Sequence, residues 1–327
     1  MTSSPEAARP DARPVFVLEP GEPVPADLRG LVLALGNFDG VHRGHAELAR
    51  VAGAMAAERG TQAAALTFEP HPRSLFRPEQ PVFRLTPEPV KVELLAGLGL
   101  SPSFVVPFDR AVAGIPAEAF VDELLLGRLG AAGLVCGYDF HFGKARTGSP
   151  EMLQARAGHA GVPVAVVPPF AFRGEPVSST LVRAALEAGD VGHAAALLGR
   201  PWFVRGEVAH GDKRGRELGY PTANMHLARD CRLRFGIYAV RMKIDGAWRD
   251  GVASFGSRPT FDDGAPRLET FVFDFSGDLY GRTVDVAFVA FLRGEAKFDT
   301  LEALIAQMDA DTVSARGILA ATPAFLV

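Results

Sequence analysis

LVLALGNFDGVHRGH, Leu31 to His45, runs from five consecutive apolar residues into three glycines and two histidines. An apolar run of that length, without alternation, reads as a strand buried on both faces, as in a parallel sheet. Glycines 36, 40 and 44 let main chain approach a ligand closely, and a helix is expected to begin near Gly44. His42 and His45 lie three apart and share a face of that helix. Three readings of the pair compete. A metal pair needs a third ligand at a usable spacing, and the second half of an H-E-x-x-H motif is absent. The plain alternative is that both imidazoles only cap and pack. A grip on phosphate would use the N–H groups and dipole of the helix start, which favour an anion. The glycines and the strand end favour phosphate.

Outward from this stretch, strand-length apolar runs recur at Ala63–Phe68, Ser103–Pro107, Gly133–Cys136 and Val162–Val167. Helix-like spacing fills Glu47–Arg59, Pro89–Gly97, Ala117–Leu129 and Pro150–Ala157. The alternation predicts an α/β domain, a parallel sheet with helices on both faces. Its expected extent is 15–185, behind a flexible tail of residues 1–14. In such sheets ligands gather at the carboxyl ends of strands, where strand order reverses. Leu181–Ala188 and Val191–Leu198 read as two short helices around Gly189-Asp190, with 186–200 as a helical linker. Over 201–327 strand signals dominate, at Phe203–His210, Gly236–Ile244, Trp248–Phe255, Leu268–Phe275 and Thr283–Leu292. Asp245-Gly246 is a strong two-residue hairpin turn. A small antiparallel barrel or sandwich follows, closed by an amphipathic helix, Leu301–Leu319.

At 327 residues the chain is long for one core, which agrees with two domains. Hydrophobic residues at 48% and charged residues at 22% are ordinary for a soluble globular protein. A net charge of −4 argues against a nucleic-acid partner. Cys136 and Cys231 fit neither a disulfide framework nor a zinc spacing. The polar start, MTSSPEAARPDARP, has no apolar signal core behind it, and no uncharged apolar stretch approaches the roughly 20 residues that span a bilayer. A cytoplasmic protein without a membrane partner is expected.

A second constellation is GEVAHGDKRGRELGYPTANM, Gly206 to Met225. No G-x-x-x-x-G-K-[ST] occurs, so ATP would be handled here without a P-loop. Gly211, Gly215 and Gly219, interleaved with Lys213, Arg214 and Arg216, would make a flexible basic flap able to wrap phosphates, or simply a solvated loop. If Pro221–Asn224 is extended, Thr222 and Asn224 project to one face and offer two hard oxygens to Mg²⁺. A turn after Pro221 is the competing reading.

Several separate motifs carry a resemblance. GNFDGVHRGH, with His42-Arg43-Gly44-His45 as an H-x-G-H nucleotidyltransferase signature, TFEPHP (Thr67–Pro72), GYDFHFGKARTG (Gly137–Gly148) and VSSTLVR (Val177–Arg183) occur in family order. With the Gly206–Met225 stretch, LETFVFDFSGDLYG (Leu268–Gly281) and FLRGEAKFDTLEALIAQMDAD (Phe291–Asp311), the chain resembles bacterial bifunctional riboflavin kinase/FMN adenylyltransferases from about residue 15 onward. The resemblance implies a Rossmann-like nucleotidyltransferase domain followed by a small antiparallel β-barrel riboflavin kinase domain with a C-terminal helix. It implies ATP contacts at Gly36, Asn37, Phe38, His42, His45, Ser179, Thr180 and Arg183, with Arg183 as counter-charge for departing pyrophosphate. Asp139 and Phe140 would lie near flavin. In the kinase half it implies ATP contacts at Gly211, Lys213, Gly215, Arg216, Thr222 and Asn224, and Glu269 as the base. His42, His45 and Arg183 would be the catalytic groups of the other half. ATP is the co-substrate, Mg²⁺ the metal, riboflavin, FMN and FAD the substrates and products, and apo-flavoproteins the expected clients; self-association is left open.

Two positions depart from the family pattern: Ser254 stands where asparagine is common, and Phe271 where histidine is. Neither is assigned phosphate or base chemistry, so they bear on packing around flavin. Two rivals remain: an enzyme with one working half, and a flavin carrier on the same scaffold.

Overall fold

The computed structural model of the chain describes residues 15–210, 220–257 and 265–323. Its contacts form two compact units: one runs to Val82 and from Thr86 to Pro176, the other joins Phe83–Leu85 to the chain from Val177 onward.

The first unit is a six-stranded, all-parallel sheet of β1 (Val15–Val17), β2 (Val32–Leu35), β3 (Ala63–Glu69), β4 (Ser103–Pro107), β5 (Gly133–Gly137) and β6 (Val164–Val167), in the order β1-β4-β3-β2-β5-β6. The unbroken apolar runs have a direct cause. Val32 and Ala34 enter a core with Leu48, Ala49, Ala52 and Ala56 of helix α1 (Arg43–Glu58) and Leu95 of α2 (Glu88–Gly97). Leu33 and Leu35 point the other way, to Phe120, Val121 and Leu125, and to Leu153 and Ala157 of α3 (Pro150–His159). Both faces are covered, so alternation of polar residues is excluded. Helix-like spacing over Ala117–Leu129 becomes a helix that winds as a π-helix over Phe120–Arg128. Its wide turn lines up Val121, Leu125 and Leu129, spaced by four and all buried. A two-stranded hairpin, β7 (Ala171–Phe172) with β8 (Glu175–Pro176), ends the unit.

In the second unit β9 (Phe203–Glu207), β10 (Thr222–His226), β11 (Gly236–Ile244), β12 (Ala247–Ser257), β13 (Pro266–Val272) and β14 (Thr283–Arg293) pair antiparallel, in the order β10-β13-β12-β11-β14-β9. A bridge between Ala209 and Asn224 brings the two edges together, so the sheet closes as a barrel rather than a sandwich. Tyr238, Val240, Phe255, Leu268, Val286 and Phe288 fill its interior. At the hairpin tip Asp245 and Gly246 have φ of 50° and 79°, as a type I′ turn requires. The C-terminal helix, Leu301–Ala321, lays Ala315 and Leu319 on Ala239 and Phe273 of the outer face.

Helices α4 (Ser179–Ala188) and α5 (Val191–Leu198) belong to this second unit. Val182, Ala185, Leu186, Ala194 and Leu197 are buried in the same cluster as the barrel interior. The contacts therefore part the chain after Pro176, earlier than the expected division near residue 185, and residues 186–200 are core as much as connector. The expected tail, residues 1–14, lies outside the described residues.

Candidate active site

Strand order reverses at β2, which has β3 on one side and β5 on the other. Leu35 is level with Leu66 of β3 and with Cys136 of β5, so the loops after all three strands start side by side. This is the crevice in which open α/β sheets bind ligands.

The loop after β2 leads to His42, the N-cap of α1 (φ −82°, ψ 174°). The His45 N–H donates to His42 Nδ1 and the His42 N–H to His45 Nδ1, both at 3.3 Å. This is a capping box with imidazoles in place of the usual hydroxyl and carboxylate. A neutral ring that accepts at Nδ1 carries its proton on Nε2. The plain expectation, cap and pack, is thus what both rings do, and the same geometry makes each Nε2 edge a donor. The rings stack at 3.6 Å and 13°, and Phe38 meets His45 edge-on at 5.1 Å. Phe38 is wholly buried, side chain and main chain alike, so it supports the loop and offers no surface for the nucleotide contact that the resemblance implies. Asn37 is exposed at the strand end, and the Arg43 guanidinium lies 4.3 Å over the Phe172 ring.

Phe38 (φ 52°) and Val41 (φ 42°) are left-handed, a strained state for non-glycine residues that surrounding contacts must hold. Asp39, 5% exposed, accepts at Oδ1 from the Thr86 N–H (3.0 Å) and hydroxyl (3.3 Å), while the Gly40 N–H donates to Thr86 Oγ1 at 3.0 Å. Beneath the loop, Lys91 Nζ reaches Glu69 Oε1 at 2.5 Å, Thr67 Oγ1 at 3.0 Å and the Asn37 carbonyl at 3.3 Å. Sequence reasoning missed these residues. The one signal for Lys91 was a lysine amid apolar Val90, Val92 and Leu95 on a helix face.

Asp139 is exposed and Phe140 half-buried just beyond β5, adjoining the histidine loop through the sheet register. Cys136, in β5, is fully buried, and burial with the nearby Asp139 and Glu151 charges pushes its thiol up to about 12. Ser179, Thr180 and Arg183 fall in the second unit and are not part of the cradle that the first unit builds by itself. Ser178 caps α4, accepting from the Leu181 N–H at 3.3 Å. Arg183 is half-buried, and its Nε donates to the Phe83 carbonyl at 2.7 Å.

In the barrel, Pro221–Asn224 is extended, not a turn, because β10 pairs with β13: Thr222 opposes Phe271 and Asn224 opposes Glu269. Paired residues of adjacent strands share a face, so Thr222, Asn224 and Glu269 are together, with Ser254 level with Glu269 on β12. Arg267, two residues before Glu269, has Nη1 3.7 Å from Glu269 Oε1. A cavity of about 530 Å³ is lined by Thr222, Asn224, Thr270, Phe275, Asp278 and Tyr280, among others, and the His210 ring lies 4.0 Å from that of Tyr280, tilted by 30°. Asn224 Nδ2 donates to the Thr222 carbonyl at 3.2 Å, so the amide oxygen is the atom turned to other uses. Phe271 meets Tyr220 edge-on at 5.0 Å, and the Tyr220 hydroxyl bonds Asp309 of the C-terminal helix, which raises its pKa. Gly211, Lys213, Gly215 and Arg216 lie outside the described residues. Among the described residues no group of three His, Cys, Asp or Glu is placed to hold a metal ion.

Residues 24–181 match the family model for FAD synthetase and residues 198–319 that for riboflavin kinase. The bifunctional riboflavin kinase/FMN adenylyltransferase of Pseudomonas fluorescens is 41% identical over 293 residues, 89% of this chain and 94% of its own. That of Escherichia coli (strain K12) is 37% identical over 292 residues, 89% and 93% of the two chains. A crystal structure described as a macrolide-efflux protein from Streptococcus pneumoniae matches with a TM-score of 0.83 at 31% identity, covering 93% of this chain and 99% of that one. Among the described residues of this chain no helix is long and apolar enough to cross a membrane.

Proposed function

The chain belongs to the bifunctional riboflavin kinase/FMN adenylyltransferase family, and from that membership we propose which of its residues carry each transfer. The protein phosphorylates riboflavin with ATP to FMN through its barrel, and adenylylates FMN with ATP to FAD, releasing pyrophosphate, through its α/β unit. Neither transfer needs a nucleophilic side chain, because each is an in-line displacement by a substrate oxygen.

In the kinase reaction the ribityl 5′-oxygen attacks the γ-phosphorus, its bond to the β-bridging oxygen breaks and ADP departs. Glu269 takes the hydroxyl proton, since an alcohol is a poor nucleophile until a carboxylate within reach accepts it. The observation that carries this assignment is the register Asn224 against Glu269, which sets a carboxylate on the same face as the hard neutral oxygens of Thr222 and Asn224, two of the residues that line the cavity. That donor set fits Mg²⁺, which prefers oxygen ligands and keeps phosphate and water in its shell. Thr222 and Asn224 would hold it, and bound there it supplies neutralising charge to the ATP phosphates. Gly211, Lys213, Gly215 and Arg216 are proposed as the basic phosphate cover of the same site.

In the adenylyl transfer an FMN phosphate oxygen attacks the α-phosphorus of ATP and pyrophosphate leaves. We assign His42 and His45, through their Nε2 donors, and the main chain of Gly36 and Asn37 to the triphosphate, at a helix start that favours its charge, with the buried Phe38 supporting the loop. Asp139 and Phe140 are assigned to the flavin side; Ser179, Thr180 and Arg183 are further proposed ATP contacts, on the strength of their motif. We place these reactions in the cytoplasm, with apo-flavoproteins as recipients. Incubating the purified protein with riboflavin, ATP and Mg²⁺ and separating the flavins tests the division. FMN and FAD together are expected; FMN alone leaves one working half, and unchanged riboflavin returns the carrier reading.

A further inference from the structure

Among the described residues, the ion pair of Lys91 and Glu69 is a deeply buried one whose purpose the reaction leaves unexplained. Their side chains are 3% and 9% exposed. The pair is charge-balanced, so it lends the nucleotide little net attraction. Nor is stability a sufficient reason, because buried pairs are commonly replaced by apolar residues at no cost to folding. What distinguishes it is what else Lys91 touches. Its ammonium donates to the Asn37 carbonyl at 3.3 Å and to Thr67 Oγ1 at 3.0 Å, and Thr67 Oγ1 donates to the same carbonyl at 3.1 Å. Asn37 is the last residue before the strained Phe38, and that carbonyl receives two donors from below.

A trans peptide is planar, with its N–H opposed to its C=O. Anchoring the Asn37 carbonyl on Lys91 and Thr67 therefore turns the Phe38 N–H away from them. A relaxed loop would let that peptide rotate, since the left-handed conformation at Phe38 is costly on its own. We propose that Lys91, steadied by Glu69 and Thr67, is a positioning residue for adenylyl transfer that fixes the Asn37–Phe38 peptide and so the path of the loop that carries Asn37 and His42 to the nucleotide's phosphates. The inference rests on reading Gly36–His45 as the ATP cradle. It explains how Phe38, buried in side chain and main chain alike, serves that cradle by shape and not by contact. Glu69 keeps the ammonium in place, and Thr67 relays it to the loop.

The test is the double variant Lys91→Met/Glu69→Leu in the full chain, which removes both charges together. Melting at or above the parent's is expected, with riboflavin phosphorylation unchanged. The adenylyl kcat should fall about 100-fold, the scale of an ångström-level misplacement, with KM for ATP moving far less. A folded double variant with parental kcat overturns the proposal, as does one whose loss is all in KM. Should the double variant melt below the parent, Thr67→Val decides: about a tenfold loss of kcat at unchanged melting supports the relay, and parental kcat overturns it. His45→Ala, run alongside, separates the two levels. If it retains adenylyl transfer, the cradle reading fails. If it is inactive while the Lys91 and Thr67 variants keep parental rates, only the positioning role fails.

Discussion

Glu269→Gln replaces a carboxylate with an amide of the same shape, removing the proton acceptor and one negative charge. The structure separates the two consequences by size. Glu269 pairs with Arg267 at 3.7 Å, with side chains 27% and 12% exposed, so the lost attraction is a partly solvated one. Such pairs contribute about 1 kcal/mol or less, which shifts melting by a few degrees at most. Loss of a general base costs about 10²- to 10⁴-fold in rate, or roughly 3–5 kcal/mol of barrier. The assay is FMN formation from riboflavin under saturating ATP and Mg²⁺, beside FAD formation from supplied FMN. The first rate should fall by at least two decades while the second stays parental. A kinase rate within a few-fold of the parent would refute Glu269 as the base. Loss of both activities in a protein that melts like the parent would refute its confinement to the barrel reaction.

Asn224→Ala should raise the Mg²⁺ concentration for half-maximal kinase rate by about tenfold or more, leaving adenylyl transfer untouched; an unchanged Mg²⁺ titration would remove Asn224 from the metal site. Arg241, 6% exposed, donates to the carbonyls of Leu319, Thr322 and Pro323 and to Asp250, tying the C-terminal helix end to β11. Arg241→Met should cost about 2–4 kcal/mol of stability, read as earlier thermal loss of kinase activity; parental melting would contradict this. Burial raises the Cys136 thiol to about 12 and Cys231 to about 11. Both should resist alkylation at pH 8 until denaturant is added, since reaction needs thiolate. With folded values raised, the stability these thiols contribute is present below the unfolded value near 9. It is lost as pH rises through 11–12, so melting should decline over that range.

What could be read from the residues alone follows physical lines. Leu31–Leu35 was legible because a strand covered on both faces cannot carry polar alternation, and Asp245-Gly246 because a tight hairpin needs two positive φ values. Thr222–Asn224 was undecidable by itself: proline, threonine and asparagine serve a turn as well as an edge strand, and pairing with β13 chose the strand. The affiliation of α4 was hidden because an amphipathic pattern states that one face is buried, not which core buries it. Lys91 was hidden for a related reason. Glu69 and Thr67 come from β3 and Asn37 from the loop after β2, tens of residues away, and only the sheet register gathers them. The histidine pair was legible as a functional candidate, yet its reciprocal capping, which fixes the tautomer, required main-chain geometry.

The central claim is that two independent sites in one chain work in sequence, one built on Glu269 and one on His45. Mixing the Glu269→Gln and His45→Ala proteins with riboflavin, ATP and Mg²⁺ tests it most directly. Alone, the first should leave riboflavin unchanged and the second should stop at FMN. Together they should produce FAD, because FMN released by one is adenylylated by the other. No FAD from the mixture, with supplied FMN still converted by the Glu269→Gln protein, would contradict independent sites linked by a free intermediate.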